Sequence, residues 1–403
     1  MIPSARSFPR TLPDAADRPR ELRAGAYVLV VLTAGAYLPS PLYPEYQRVF
    51  EFSDLTMTLI YATFALVSAP ALVLFGQASD ALGPRAVLRW STLAAAAGSL
   101  CFALAVGPGW LLAGRALQGI ALGAATGAAG ALIARGSPGR GALLASTAFL
   151  AGTAAGPIAG GVLGRVDAGL LPYLVHLVLL WGAWRLVSAL ESAPGAGRWH
   201  LALPAIPGGM RVLFAASAVN GFLAWTVVGL FLSLIPSLLR ADPAVTGLVV
   251  GSVLICSVLV QPLVRSLGPR RAQLRGLGAL LVSLVLLAAT AGTSVWVTCA
   301  MAVAAGVGHG LVYGGASAAV AERTPEERRG GITGALYLAF YLGSGCPAVI
   351  VGLLTSTWPL TTAVTWMAVA TILLVPVAAC SLFLAAGSVR MKVPESQGFP
   401  SAW

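Results

Sequence analysis

Few side chains within the long apolar stretches of this chain could exchange a proton or hold a polar ligand. Arg115 lies in "GRALQGIALG" (114–123), with Gln118 and Gly119 at i+3 and i+4 on the same helical face. An arginine in mid-membrane costs about 2.5–3.5 kcal/mol on insertion scales, so Arg115 must face protein or water. It belongs either to a polar stripe beside a cavity or to the framework, bonded to backbone carbonyls. His309, with Tyr313 one turn away, is of the type that exchanges a proton near neutral pH, although a hydrogen-bonded core histidine has the same signature. His176 is a weaker case. None of the 14 acidic residues falls mid-stretch, and Glu45, in "YLPSPLYPEY", lies just beyond the outer end of the first one. An enzyme would need converging nucleophile, base or metal ligands, and three histidines with no intramembrane acid do not supply them. Neither a cofactor nor a metal site is expected, and the five cysteines fall within apolar stretches as small hydrophobes.

The elements that must hold these residues follow from composition. With 58% hydrophobic and 10% charged residues, the chain lies far from soluble proteins, in which about 25% of residues are charged. A hydrocarbon core of about 30 Å needs roughly 20 apolar residues per helix. Twelve such runs are readable, at 24–46, 55–75, 88–106, 109–134, 141–164 and 168–189, then 211–238, 245–265, 276–293, 295–321, 331–355 and 360–386. Alternation of period two is missing and backbone groups in lipid must pair internally, so the expected fold is an all-α bundle of transmembrane helices.

Charge placement sets the orientation. Every Lys and Arg except Arg48, Arg115, Arg165 and Arg240 falls on one side of these spans, which makes that side and both termini cytoplasmic. The basic excess therefore speaks for a membrane and against nucleic acid. Residues 1–23, rich in Pro and Arg, read as a disordered cytoplasmic tail able to touch anionic lipid. Two bundles, 24–190 and 211–386, are joined by a linker at 191–210, and 387–403 form a second tail.

The two bundles carry an internal repeat. "DALGPRAVLR" (80–89) reappears as "RSLGPRRAQLR" (265–275) after the second and eighth spans, and "ALIARGSPGRGALLAS" (131–146) matches "AAVAERTPEERRGGITG" (318–334) after the fourth and tenth. Repeated halves with a site near the midplane are a transporter architecture. No G-x4-G-K-[ST] pattern occurs, so the chain is not itself an ATP-driven pump of that type.

The loop "GQASDALGPRAVLRW" (76–90) resembles the signature between the second and third helices of the major facilitator superfamily, through Gly76, Asp80, Gly83 and Arg85. Arg115, Gln118 and Gly119 look like the family's fourth-helix motif. Gly152, Gly156, Pro157, Gly160 and Gly161 look like the fifth-helix motif of its proton-driven exporters. The resemblance implies a latch at Asp80 that stabilises one access state, a proton-relay or tuning role for Arg115, and export by antiport. Ala81 and Pro84 stand where the family has basic residues, and the second copy replaces the acid by Arg265 and the first glycine by Gln261. The proton carrier, if the chain has one, is His309 or Glu45 acting with Arg115.

Tyr37, Tyr61, Gln118, Asn220, Trp225, Tyr313, Tyr337 and Tyr341 are the candidates to line a cavity between the halves, with Tyr37 equally readable as an interfacial anchor. Aromatic rings with a few hydrogen-bonding groups suit a small, partly hydrophobic organic compound. The expected function is a monomeric secondary exporter of the cell membrane, driven by protons. The alternatives are facilitator-type uptake of a small metabolite and, less favoured, a receptor that moves nothing.

Overall fold

The computed structural model describes residues 18–75, 78–191, 206–325 and 329–390, and every regular element among them is helical. Twelve helices are long and apolar enough to cross a membrane. The first half holds α1 (Arg18–Tyr37), α2 (Tyr43–Phe50), α3 (Asp54–Phe75), α4 (Ala78–Leu82), α5 (Pro84–Ala103), α6 (Pro108–Gly136), α7 (Gly141–Gly164) and α8 (Leu171–Ser188). The second holds α9 (Arg211–Ser233), α10 (Ile235–Leu239), α11 (Pro243–Leu267), α12 (Pro269–Thr290), α13 (Val295–Ala321), α14 (Arg329–Leu354) and α15 (Leu360–Arg390).

Packing repeats with the sequence. In the first half α6 packs on α1, α3 and α5, α7 on α1, and α8 on α5 and α1. In the second, α13 packs on α9, α11 and α12, α14 on α9, and α15 on α12 and α9. The shared "LGPR" turns explain one piece of this symmetry. Gly83 (φ 81°, ψ 147°) and Gly268 (φ 76°, ψ 153°) adopt a conformation open essentially to glycine alone, and each hands over to a proline that starts the next helix. Between the halves, α7 lies along α11 and α14 along α3, again as symmetric equivalents.

Three expected boundaries move. The first span is broken: α1 stops at Tyr37, a short 3₁₀ turn covers Ser40–Leu42, and α2 runs on to Phe50. Pro39 and Pro41 cause the break because neither has an N–H to continue the helical ladder. At the other end α1 begins at Arg18, inside the stretch read as a tail, with Pro19 in its first turn and Glu21 bridging to Arg135 of α6 at 2.9 Å. The last helix extends to Arg390, past the expected start of the second tail at 387. Residues 1–17, most of the linker (192–205) and 391–403 lie outside the described residues.

Candidate functional site

The break in the first span determines what Arg115 does. Residue 39 would normally donate to the carbonyl of Gly35, and Pro39 cannot; the end of α1 frees the carbonyl of Ala36 as well. Gln118 donates through Nε2 to Gly35 O at 3.2 Å, and the Arg115 guanidinium donates to Ala36 O. Arg115 also donates to Gln118 Oε1 at 3.1 Å and to Tyr61 O at 3.4 Å, and its guanidinium carbon lies 4.5 Å from the centre of the Phe64 ring. The side chain is fully buried, and its partners include no carboxylate. The pair thus caps a helix end that lipid could not satisfy.

Tyr37 is buried and packs edge-on against Phe64, with ring centres 5.4 Å apart, so it sits in the core rather than at the membrane surface. Phe64 in turn meets Tyr341 of α14, across the boundary between halves, at 6.2 Å. A second line of rings crosses the same boundary. Phe149 of α7 packs on Trp225 of α9, Trp225 lies edge-on to His309 of α13 at 4.8 Å, and His309 stacks on Tyr313 at 5.5 Å. Tyr313 continues to Tyr337 and Phe340 of α14, with its hydroxyl 3.1 Å from that of Tyr337. Within this cluster Trp225 Nε1 and His309 Nε2 are buried and have no hydrogen-bond partner. Tyr61 donates to, or accepts from, Ser344 of α14 at 2.7 Å.

The glycines of α7 serve two faces. Gly152, Gly156 and Gly160 lie against α1, where a Cβ would meet backbone of Val30, Ala34 and Leu38. Gly161, one position on, lies against Pro243 of α11; Gly247 and Gly251 of α11 lie against Pro157 and against Ala154 and Ile158 of α7. A matching close approach joins Gly352 and Gly345 of α14 to Thr58, Ala65 and Leu66 of α3. Of the contacts between halves, those of Gly161, Gly247 and Gly352 lie toward the end of the bundle away from the described termini, and those of Gly251 and Gly345 continue to mid-helix. At that end Arg165 pairs with Asp242 at 3.2 Å and Ser237 donates to Gln47 Oε1 at 3.1 Å, both across the boundary between halves.

Other expected participants lie elsewhere. Glu45 is on the exposed rim, paired with Arg48 in its own helix at 2.5 Å, and is not brought to Arg115 or His309. Asn220 turns its amide to Ala378 O (3.2 Å) and Ser381 Oγ (3.3 Å) of α15, toward the back of its own half. His176 is held by Ser99 at 2.7 Å and by Val31 O at 3.1 Å. Of the loop after α3, Gly76 and the Asp80 side chain lie outside the described residues, while Arg85 donates to Ser188 O at 2.7 Å, tying α5 to the end of α8. Sequence reading missed Phe64, Phe149 and Phe340, which carry no signal distinguishing lipid from core, and Gly247 with Gly251, whose four-residue spacing was readable as a close-packing face.

No curated protein matches the chain. Among solved structures it is similar to a bacterial homolog of the human lysosomal transporter Spinster in an inward-facing, unoccupied conformation, with TM-score 0.71 and 15% identity over 94% of this chain and 99% of that one. It is also similar to a mutant of the nucleoside transporter NupG, with TM-score 0.67 and 11% identity over 91% and 99%. At such identities the likeness speaks for fold alone. The family profile of the Major Facilitator Superfamily matches residues 26–195 and 213–403, nearly the whole sequence. The chain is therefore a multi-pass membrane transporter, not an enzyme, and belongs to the Major Facilitator Superfamily.

Proposed function

We propose that this transporter exports a small, partly hydrophobic organic compound across the cell membrane in exchange for protons, working as a monomer with both termini in the cytoplasm. One observation carries the reading: the halves meet closely at the end away from the termini, and an aromatic cluster holding unpartnered polar atoms spans the junction just inside that seal. With cytoplasmic termini this seal closes the outer side, the closure that loading of solute from the cytoplasm requires, and rocking of the halves about the cluster supplies alternating access. The exporter-type sequence of α7 supports the direction.

Coupling rests on His309, since it sits in the cluster and Glu45 does not. Arg115 acts through the architecture by fixing the end of α1 beside Phe64 and Tyr37. The Asp80 loop serves as the latch on the cytoplasmic side.

Inside-out vesicles with an acidic lumen provide the test. A panel of hydrophobic toxic compounds is followed for accumulation with and without the gradient. Gradient-dependent accumulation that falls in Asp80→Asn and is abolished in the His309→Ala, Glu45→Gln double variant is expected. Undiminished gradient-driven accumulation in the double variant refutes the coupling assignment, and gradient-independent equilibration refutes antiport.

A further inference from the structure

We propose that the site between the halves selects solutes whose polar groups accept hydrogen bonds, apolar molecules bearing a carbonyl or carboxylate, and discriminates against organic cations. This deepens the transport reading above and rests on it for the location of the solute.

Two buried histidines make the point by contrast. Both are held through Nδ1 by a serine hydroxyl, His176 by Ser99 at 2.7 Å and His309 by Ser257 at 2.9 Å. His176 completes its second nitrogen with the carbonyl of Val31, whereas His309 leaves Nε2 with nothing. Ser257 has no backbone acceptor for its hydroxyl hydrogen, unlike Ser68 or Ser91, which donate four residues back. We assign its O–H as the donor to Nδ1, the arrangement that leaves fewer polar groups unpaired, and this assignment puts the His309 proton on Nε2 as an unused donor. The neighbouring indole, 4.8 Å away centre to centre, offers a second unused N–H at Trp225 Nε1, and indole can only donate.

Such buried donors, surrounded by hydrocarbon, call for an acceptor. The Tyr341 ring packs on Phe64, whose face carries the Arg115 guanidinium. The rings lining the cluster bear no acid, and the charge next to it is positive. An ammonium ion brings further donors and a repelled charge; a carbonyl or carboxylate brings what both N–H groups lack, and the rings cover its apolar body.

Four naphthalene probes of one size separate these chemistries: the 2-carboxylate, its methyl ester, the 2-methylammonium and 2-methylnaphthalene. Each, radiolabelled, is bound to the purified full chain in lipid nanodiscs with empty nanodiscs subtracted. The carboxylate and ester are expected to bind about tenfold or more tighter than the other two, and Trp225→Phe and His309→Phe each to remove about tenfold of that preference. His309→Gln, which restores an N–H, recovers binding and guards against a merely misfolded variant. A carboxylate tighter than its ester adds a contribution from charge, and equal binding assigns the selectivity to the carbonyl.

Ammonium binding as tight as the carboxylate, no binding of any probe, or an unchanged preference in both ring variants overturns the inference. Counterflow of the bound probe in proteoliposomes is scored separately. A probe that binds with the expected preference but never crosses sinks the transport reading and leaves acceptor selection standing.

Discussion

Replacing Gly247 by alanine places a methyl group from α11 into the backbone of α7. The new Cβ would overlap the Pro157 carbonyl oxygen and lie 3.2 Å from Gly161 Cα, and neither can swing aside as a side-chain tip could. Overpacking of this kind costs about 1–3 kcal/mol. The contact exists only while the halves are closed at this end, so the cost falls on one conformation and shifts the equilibrium about 5- to 150-fold toward the other. Gly156→Ala in α7 is the control, because its Cβ meets Ala34 and Tyr37 of α1, inside one half, and penalises both conformations alike. Spin labels at Val166 and Arg240, exposed positions on opposite halves at that end, read the separation after the native cysteines are replaced. Gly247→Ala should add a longer-distance population with little change in thermal stability, and Gly156→Ala should lower stability with the distances unchanged. Unaltered distances in Gly247→Ala, with the protein folded, refute a seam that opens.

Arg115→Leu strands the Ala36 carbonyl and removes charge-assisted bonds worth about 1.5–3 kcal/mol each, so a loss of about 3 kcal/mol is expected in detergent unfolding, with Arg115→Lys intermediate; stability equal to the parent refutes the capping role. Pro39→Ala returns an N–H to the Gly35 carbonyl, and Gln118→Ala should then cost about 0.5–1 kcal/mol less in that background than alone, measured as a double-mutant cycle. The Arg165–Asp242 pair is well exposed, so Arg165→Gln should shift the ratio of the short- and long-distance populations by less than about fivefold, an effect that vanishes at high salt.

The twelve helices were legible because lipid demands long apolar runs and tolerates charge only at their ends, and the repeat was legible because "LGPR" encodes a backbone turn twice. The break at Pro39 was visible as a proline but not as a break, since the apolar run continues through Leu38 and Leu42. Arg115 was recognisable as a buried polar residue, yet whether it faced a cavity or a carbonyl depended on the geometry of α1, which only the fold supplies. The aromatic cluster was half legible. Its tyrosines and Trp225 announce themselves as amphipathic, whereas phenylalanine is equally at home facing lipid or a neighbouring helix, so periodicity gives no direction.

The seam between α7 and α11 sets glycine against backbone at Gly161 and Gly247, and this bears on how fast such a machine can cycle. Closing a surface of long side chains freezes their rotamers, at up to about 1.5–2 kcal/mol for each Met, Gln or Arg immobilised. Where Gly161 and Gly247 meet the backbone of the opposing helices, there are no rotamers of their own to freeze. Association of these surfaces relies on shallow, numerous dispersion contacts, with almost no entropy lost on shutting and none to be regained on opening. Such a joint can be tight without being deep, which keeps two states close enough in free energy for a modest solute affinity to choose between them.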